Sequence, residues 1–177
     1  MLTYYSQLEL HIGYVYGSSE IPPNASNYVP RYIPGARLPH AWITFPESVI
    51  IDRPPPVDVS YVSELSLDEV TQRQFTTLDL CAPDCFTFIV NSLEIWRERI
   101  QQVRTHYAQS GPKIAVYALS TDFDLVPGTR GQAWVEGAGL IGGGGLLVRP
   151  DQHIQMRLEA GTSGEEILAS LKSHLGR

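Results

Sequence analysis

The sequence predicts an α/β fold in which a central mixed β-sheet is flanked by helices. Two short apolar runs, at 86–90 and 113–119, have the character of buried strands and enclose a segment with the three-and-four spacing of an amphipathic helix. A hairpin pattern follows around 150–152, and the chain closes on a second amphipathic segment. Strands and helices that alternate in this way indicate a sheet with helices packed against it.

The β-α-β unit comes first. Asn91 is predicted to cap its helix, and Glu94 would complete a capping box. The dipeptide at 111–112, Gly-Pro, ends the helix because both residues interrupt helical backbone. The strand at 113–119 is continuously apolar and β-branched, so we predict that it lies inside the sheet. The helix buries one apolar stripe, formed by Leu93, Trp96, Ile100, Val103 and Tyr107.

A hairpin and a helix complete the chain. The hairpin strands, at 146–148 and 154–158, flank the turn residues 150–152, Pro-Asp-Gln. Ser163 and Glu166 form a second capping box. That helix carries an apolar face of Ile167, Leu168, Leu171 and Leu175. A β-α-β unit followed by a hairpin and a helix is the order of a thioredoxin-like fold, which we therefore predict.

One domain accounts for all 177 residues, with the core at 76–177 and an irregular extension and insertion at 1–75. The N-terminal part is dense in proline and holds seven of the nine tyrosines. Ser66 and Glu69 could open a short helix there. We interpret the segment 54–74 as a surface excursion, with a lid or an oligomer contact as the alternative.

Composition and charge exclude several classes of function. A net charge of −6 without a basic run argues against nucleic acid or an anionic membrane as partner. No apolar run is long enough to span a bilayer, and no basic-then-apolar leader follows Met1. We therefore expect a soluble, cytoplasmic protein. The five histidines lack ligand spacing, so no metal site is predicted.

Two motifs resemble functional ones without the required context. Cys81 and Cys85 are spaced C-x3-C before a strand, whereas a redox pair needs C-x-x-C at the start of a helix. We interpret them as small buried residues, with a regulatory disulfide as the alternative. The segment 137–142, GAGLIG, matches the dinucleotide fingerprint, but more glycines and a strand follow it where a helix is needed. We predict a glycine loop there and no flavin or nicotinamide site.

Several segments together resemble one known domain. They are GLLVRPDQHI at 145–154, PGARLPH at 34–40, TTLDL at 76–80 with FTFIV at 86–90, and LHIGY at 10–14. With these motifs the chain resembles, over almost its whole length, the C-terminal thioredoxin-like domain of FAD-dependent aromatic hydroxylases of the phenol hydroxylase class. Gln152 replaces a glycine typical of that family, and Met156 stands where it often has tryptophan. The resemblance implies a free-standing, redox-inactive domain without the flavin-binding module and without a cofactor.

The resemblance implies no catalytic residues, since in those enzymes this domain is thought to support dimerisation and stability. If the chain is catalytic, His40 is the candidate acid or base because histidine titrates near neutral pH, with Arg37 and Asp79 as its companions. Arg37 and Asp79 could equally form a buried structural pair, and Asp151 could simply shape a turn. The candidate substrate contacts are Tyr14, Tyr16, Tyr32, Trp42, Arg149 and His153.

Two functions from different classes follow. The first is a cofactor-free tailoring enzyme that cyclises, dehydrates or isomerises an aromatic or polyketide-like intermediate of secondary metabolism, in a pocket that loss of the flavin module uncovers. The second is a non-catalytic dimerisation or stabilising module for a flavin-dependent monooxygenase. We expect a homodimer, with a small aromatic molecule or a flavoprotein as further partner. A closed apolar pocket at His40 would favour the enzyme, and a buried, hydrogen-bonded His40 without a cavity would favour the module.

Overall fold

The computed structural model describes residues 12–18, 28–46 and 66–176. Its strands are β1 (Trp42–Thr44), β2 (Phe75–Thr76), β3 (Cys85–Val90), β4 (Lys113–Ala118), β5 (Asp124–Leu125), β6 (Gly145–Val148) and β7 (Ile154–Leu158). Its helices are α1 (Leu67–Gln72), α2 (Leu93–His106), α3 (Thr129–Gly137) and α4 (Gly164–Leu175), and a 3₁₀ turn spans Thr77–Leu80. No helix in the described ranges combines the length and the hydrophobicity needed to cross a bilayer. Most of the predicted insertion, up to residue 65, lies outside those ranges.

The central sheet has four strands in the order β4-β3-β6-β7. β3 and β4 run parallel and are joined by α2, whereas β6 is antiparallel to both β3 and β7. This mixed sheet and its element order confirm the predicted thioredoxin-like fold. One detail of the prediction is wrong: among the described residues β4 pairs with β3 alone, so it is an edge strand. Ile114 and Val116 of β4 are accordingly half-buried.

One face of the central sheet is covered by α2 and α4. Phe86, Phe88 and Val90 alternate along β3 and are buried on this face. Both helices present the apolar stripes that the sequence predicts, and burial of each large apolar side chain stabilises the fold by about 1.5–3 kcal/mol. Against β3 pack Trp96, Ile100 and Val103 of α2 and Ile167 and Leu171 of α4.

The opposite face is covered by the segment 28–46, a second sheet and α3. In the second sheet β1 lies between β2 and β5 and is antiparallel to both. Ile89 of β3 shares a core with Ile43 of β1 and Trp134 of α3. The sequence analysis missed this sheet and α3. Strands of two or three residues leave no periodicity to detect, and Gly131 and Gly137 weaken the helical pattern of α3.

Two of the three capping boxes predicted from the sequence are present in the structure. The capping boxes at Ser66 and Ser163 are confirmed, since each side chain accepts from the backbone three residues on and receives the reciprocal bond. The box predicted at Asn91 is wrong, because the cap of α2 is Ser92 and no side-chain capping bond forms. The backbone N–H of Asn91 instead donates to the carbonyl of Gly144 at 3.3 Å. Contact with the loop before β6 thus decides the conformation of Asn91.

The glycine segment 137–142 and the two cysteines have structural roles in the described residues. Gly137 is the last residue of α3, and the segment after it turns into β6. A helix therefore precedes these glycines and a strand follows, the reverse of the dinucleotide-binding order, and the predicted loop is confirmed. Cys81 and Cys85 are both free thiols. Cys81 is buried as predicted, but Cys85 is only half-buried, so the prediction of two buried cysteines is wrong for Cys85.

Candidate functional site

The turn between β6 and β7 brings several polar side chains to one end of the central sheet. The N–H of Arg149 donates to the carbonyl of His153 at 2.8 Å and closes the turn. The guanidinium of Arg149 also binds both carboxylate oxygens of Asp151, with Nε donating to Oδ1 at 3.0 Å. Desolvation raises the pKa of Asp151, but the hydrogen bonds from Arg149 and from the N–H of His153 outweigh it and lower that pKa to about 2.

Gln152 occupies the turn position for which the resemblance predicts glycine. Its φ of 64° lies in the left-handed region that favours glycine. The side chain nevertheless has partners, since its Oε1 accepts from Arg37 at 3.3 Å and its Nε2 donates to the carbonyl of Leu78 at 3.4 Å. These contacts connect the hairpin to the segment 28–46 and to the 3₁₀ turn, which offsets a backbone cost of about 1–2 kcal/mol.

His153 is almost fully buried, with 5% of its surface exposed. Its Nδ1 lies 2.9 Å from the carbonyl oxygen of Asp151, so Nδ1 is the nitrogen that carries the proton and donates. Nε2 then presents a lone pair, and among the described residues this buried atom has no hydrogen-bond partner. An unpaired acceptor in a buried position is costly, so His153 is a candidate for function or for a partner outside the described residues.

Two tyrosines cover His153. The ring centroids of Tyr14 and Tyr16 lie 5.4 Å and 4.6 Å from that of His153. The guanidinium of Arg149 lies 5.1 Å from the centroid of Tyr16, a cation–π contact. Tyr14 is 36% exposed and Tyr16 is 53% exposed, so the outer faces of both rings meet solvent. We call Tyr14, Tyr16, Arg149, Asp151 and His153 the tyrosine–hairpin cluster.

Gly35 positions the two tyrosines. The N–H of Tyr16 donates to the carbonyl of Gly35 at 3.0 Å, and the N–H of Gly35 donates to the carbonyl of Ile154 at 2.8 Å. Gly35 has a φ of 86°, and a Cβ added to it would lie 2.3 Å from the carbonyl oxygen of Tyr16. Only glycine therefore permits the segment 12–18 to lie against the hairpin in this way.

The three residues predicted for catalysis do not form one constellation. Arg37 borders the cluster through Gln152, whereas Asp79 caps the 3₁₀ turn by accepting from the N–H of Thr76 at 2.7 Å. The alternative of a buried Arg37–Asp79 pair is wrong, because both side chains are committed to these other partners. No hydrogen bond or ion pair joins any two of Arg37, His40 and Asp79.

His40 lies on the surface next to Trp42. The two rings meet edge to face, with 4.8 Å between their centroids. Partial desolvation lowers the pKa of His40, and the positive charge of Arg130 lowers it further. His40 is exposed, so the described residues form neither of the two arrangements that would discriminate the functions: a closed apolar pocket at His40, or a buried, hydrogen-bonded ring.

Tyr32 lies apart from Tyr14 and Tyr16 and has a structural environment. Its ring packs edge to face on Trp134 at 6.2 Å between centroids, and burial raises the pKa of its hydroxyl to about 12. A Cβ on Gly137 would lie 2.2 Å from this ring, so α3 and Tyr32 pack in direct contact. The structure thus brings together Tyr14, Tyr16, Arg149 and His153, pairs His40 with Trp42, and packs the half-buried Tyr32 against the core.

A groove that the sequence analysis missed lies beside Trp42. Its cavity of about 400 Å³ is lined in part by Arg73 at the end of α1 and by Arg130 in the first turn of α3. Arg73 and Arg130 are 57 positions apart, and α3 was not predicted, so no sequence spacing could have joined them. The signal that was present is local: Val126-Pro127-Gly128 is a turn pattern that ends two positions before Arg130.

Comparison with known proteins gives fold relatives. No family model and no curated protein sequence matches the chain. Among solved structures it is similar to the flavin-dependent monooxygenase PieE in complex with FAD and substrate, at 20% identity and a TM-score of 0.64, over 97% of this chain and 26% of PieE. It is also similar to aklavinone-11 hydroxylase in a ternary complex with FAD and aklavinone, at 20% identity and a TM-score of 0.56, over 92% of this chain and 25% of that one.

These likenesses confirm the predicted resemblance at the level of the fold. The chain has the fold of one part of two flavin-dependent monooxygenases, and it spans about a quarter of the length of each.

Proposed function

We propose that this chain is a non-catalytic domain of the flavin-dependent monooxygenase type, which docks onto a flavin-binding portion and stabilises it. The observation that carries the proposal is the fold likeness, which extends over 92–97% of this chain and about a quarter of two such monooxygenases. A match of nearly the whole chain to a minor part of a larger enzyme supports a role beside a flavin-binding portion.

The environment of the candidate catalytic side chains supports this role. Asp79 is used as a cap, and Arg37 binds Gln152 in the hairpin turn. His40 is exposed and contacts Trp42 edge to face, and no side chain among the described residues hydrogen-bonds it so as to direct a proton to a substrate. Each of these three side chains has a structural contact that explains its position, so the geometry favours the module over the enzyme.

The tyrosine–hairpin cluster is the docking face of this proposal. Tyrosine and arginine are enriched at the energetically important positions of protein interfaces. Tyr14 and Tyr16 are exposed, and the cation–π contact with Arg149 holds the ring of Tyr16 in a defined orientation. Such a face loses little side-chain entropy on binding. The occupant to which we commit is the flavin-binding portion, in the same polypeptide or in another. A second copy of this chain is the competing occupant.

A chimera tests this proposal. In PieE, the quarter of the chain that shares this fold is replaced by the present chain, and a matched PieE from which that quarter is deleted serves as control. We expect the chimera to retain FAD through gel filtration and the deleted form to lose it. A chimera that loses FAD as readily as the deleted form would count against a stabilising role. Gel filtration with light scattering of the isolated chain separately measures whether it forms the expected homodimer.

A second candidate function, the cofactor-free enzyme, is favoured by one observation. The unpaired Nε2 of His153 is an available base buried beneath Tyr14 and Tyr16, whose hydroxyls could hold a phenolic substrate if the segment 12–18 opened. In this proposal the chain isomerises, cyclises or dehydrates an aromatic or polyketide-like molecule. Incubation with aklavinone without flavin, followed by chromatography and mass spectrometry, tests it. A new isomer or loss of water that disappears in His153→Gln would support the enzyme, and unchanged aklavinone would count against it.

A further inference from the structure

The groove beside Trp42 is lined by one aromatic and two cationic side chains. It has a volume of about 400 Å³, within the range of roughly 300–1,000 Å³ that is usual for small-molecule sites. Trp42, Val126 and Pro127 supply apolar surface, and Arg73 and Arg130 supply positive charge. Among the described residues, no carboxylate lines the groove. The combination suits a ligand that has a flat apolar part and a negative charge.

The two arginines are available to different degrees. Arg73 donates to Glu69 at 3.1 Å, so part of its charge is already compensated. Arg130 is exposed and has no ion-pair partner among the described residues. Its field reaches the neighbouring ring, because the pKa of His40 is lowered first by desolvation and then by the charge of Arg130. Arg130 is therefore the more available positive charge in the groove, and Arg73 is the less available one.

Trp42 is held in a fixed orientation. The N–H of Val126 donates to the carbonyl of Trp42 at 2.9 Å and ties β1 to the wall of the groove. The ring of His40 packs edge to face against the indole at 4.8 Å between centroids and supports it beside the groove. A fixed aromatic face binds another ring at a low cost in entropy.

We propose that this groove binds a small aromatic carboxylate, whose ring lies on Trp42 and whose carboxylate binds Arg130 and Arg73. Guanidinium groups bind carboxylates through paired, charge-assisted hydrogen bonds, and these are stronger than neutral ones. The site shares no residue with the tyrosine–hairpin cluster, so this proposal stands or falls independently of the docking function.

Calorimetric titration of the purified full chain tests the site, with 2-naphthoate as probe and the neutral 2-naphthamide as its matched partner. We expect saturable 1:1 binding of naphthoate, weakened by added salt, and an affinity for naphthamide that is lower by about tenfold. Arg130→Gln should weaken naphthoate by about tenfold. Arg97→Gln removes an exposed arginine from α2 and should change the affinity by less than about twofold.

Proton NMR of the histidine rings shows where on the protein naphthoate binds. On addition of naphthoate the ring signals of His40 should shift, whereas those of His106 and His174 should not. The thermal midpoint of each variant is measured first, and Arg130→Lys, which keeps the charge, replaces Arg130→Gln if that variant does not fold. The proposal is overturned by an absence of saturable naphthoate binding, by equal affinity for the two probes, or by equal effects of the changes at Arg130 and Arg97.

Discussion

The two faces of the central sheet are covered by different means. On one face, α2 and α4 bury continuous apolar stripes, and Trp96 is the largest side chain. On the other, the segment 28–46, strands of two or three residues and α3 pack around Trp134. Each indole donates a hydrogen bond, from Trp96 to the carbonyl of Gly143 at 3.0 Å and from Trp134 to that of Pro39 at 2.8 Å.

The two faces of the central sheet also differ in the surface that their coverings leave at the edges. The tyrosine–hairpin cluster and the groove beside Trp42 both lie where irregular elements of the second face meet. Loops and irregular segments carry binding and catalytic residues more often than the regular elements that position them. Both faces of this sheet bury a large tryptophan and contribute to stability, but both candidate sites lie in the irregular covering.

The largest expected effects are those of replacing the two buried tryptophans, which should destabilise the fold alike but differ in their effect on ligand binding. Trp96→Ala and Trp134→Ala should each lower the free energy of unfolding by about 3–5 kcal/mol, because each removes a fully buried indole and its hydrogen bond. Urea denaturation measures this. In the variants that remain folded, Trp134→Ala alone should also weaken naphthoate binding, since α3 carries Arg130. Equal weakening by Trp96→Ala would break the proposed division of roles between the faces.

Gly35→Ala should cause the next largest effect. The new Cβ would collide with the carbonyl of Tyr16, so we expect a loss of about 1–3 kcal/mol together with release of the segment 12–18. Hydrogen exchange should show loss of protection at the N–H of Tyr16 and unchanged protection in α2. Gly161→Ala is the control, because nothing lies within 4 Å of its Cβ position. Retained protection at Tyr16 would contradict this account of the cluster.

Asp151→Asn should cost about 1 kcal/mol at neutral pH, since the carboxylate is half-exposed and solvent screens its interaction with Arg149. The pKa of Asp151 in the folded protein is about 2, below the unfolded value, so its contribution is present above about pH 4. That contribution is lost as the pH falls through the folded pKa. Urea denaturation curves of wild type and Asp151→Asn should therefore converge between pH 4 and 2. A difference that stays constant over this range would rule out the ionised carboxylate as its source.

The smallest expected effect concerns Arg130→Gln, which should change the free energy of unfolding by less than about 0.5 kcal/mol because the residue is exposed. The pKa of His40 should rise, since removal of the nearby positive charge favours the protonated ring. An NMR titration of the histidines measures this, with Arg97→Gln as the variant that should leave His40 unchanged. An unaltered pKa of His40 would mean that the charge of Arg130 does not act on that ring.

The residues predicted from the sequence fall into two groups. Those in continuous elements with a clear period, such as the stripe of α2 and the capping box at Ser163, were predicted because their information is local. The candidate site was predicted in part: Tyr14, Tyr16, Arg149 and His153 were named, and the structure brings them together. Their grouping depends on Gly35 and on a backbone pairing between segments far apart in the chain.

The thioredoxin-like order of strands and helices follows from local patterns, because apolar periodicity and capping residues specify elements before any tertiary contact exists. Three features depend on tertiary packing: β4 is an edge strand, Asn91 does not cap α2, and Arg130 and Arg73 line one groove with Trp42. Each of these depends on contacts between residues distant in sequence. The energy of such contacts is set by packing, and no local pattern of residues encodes it.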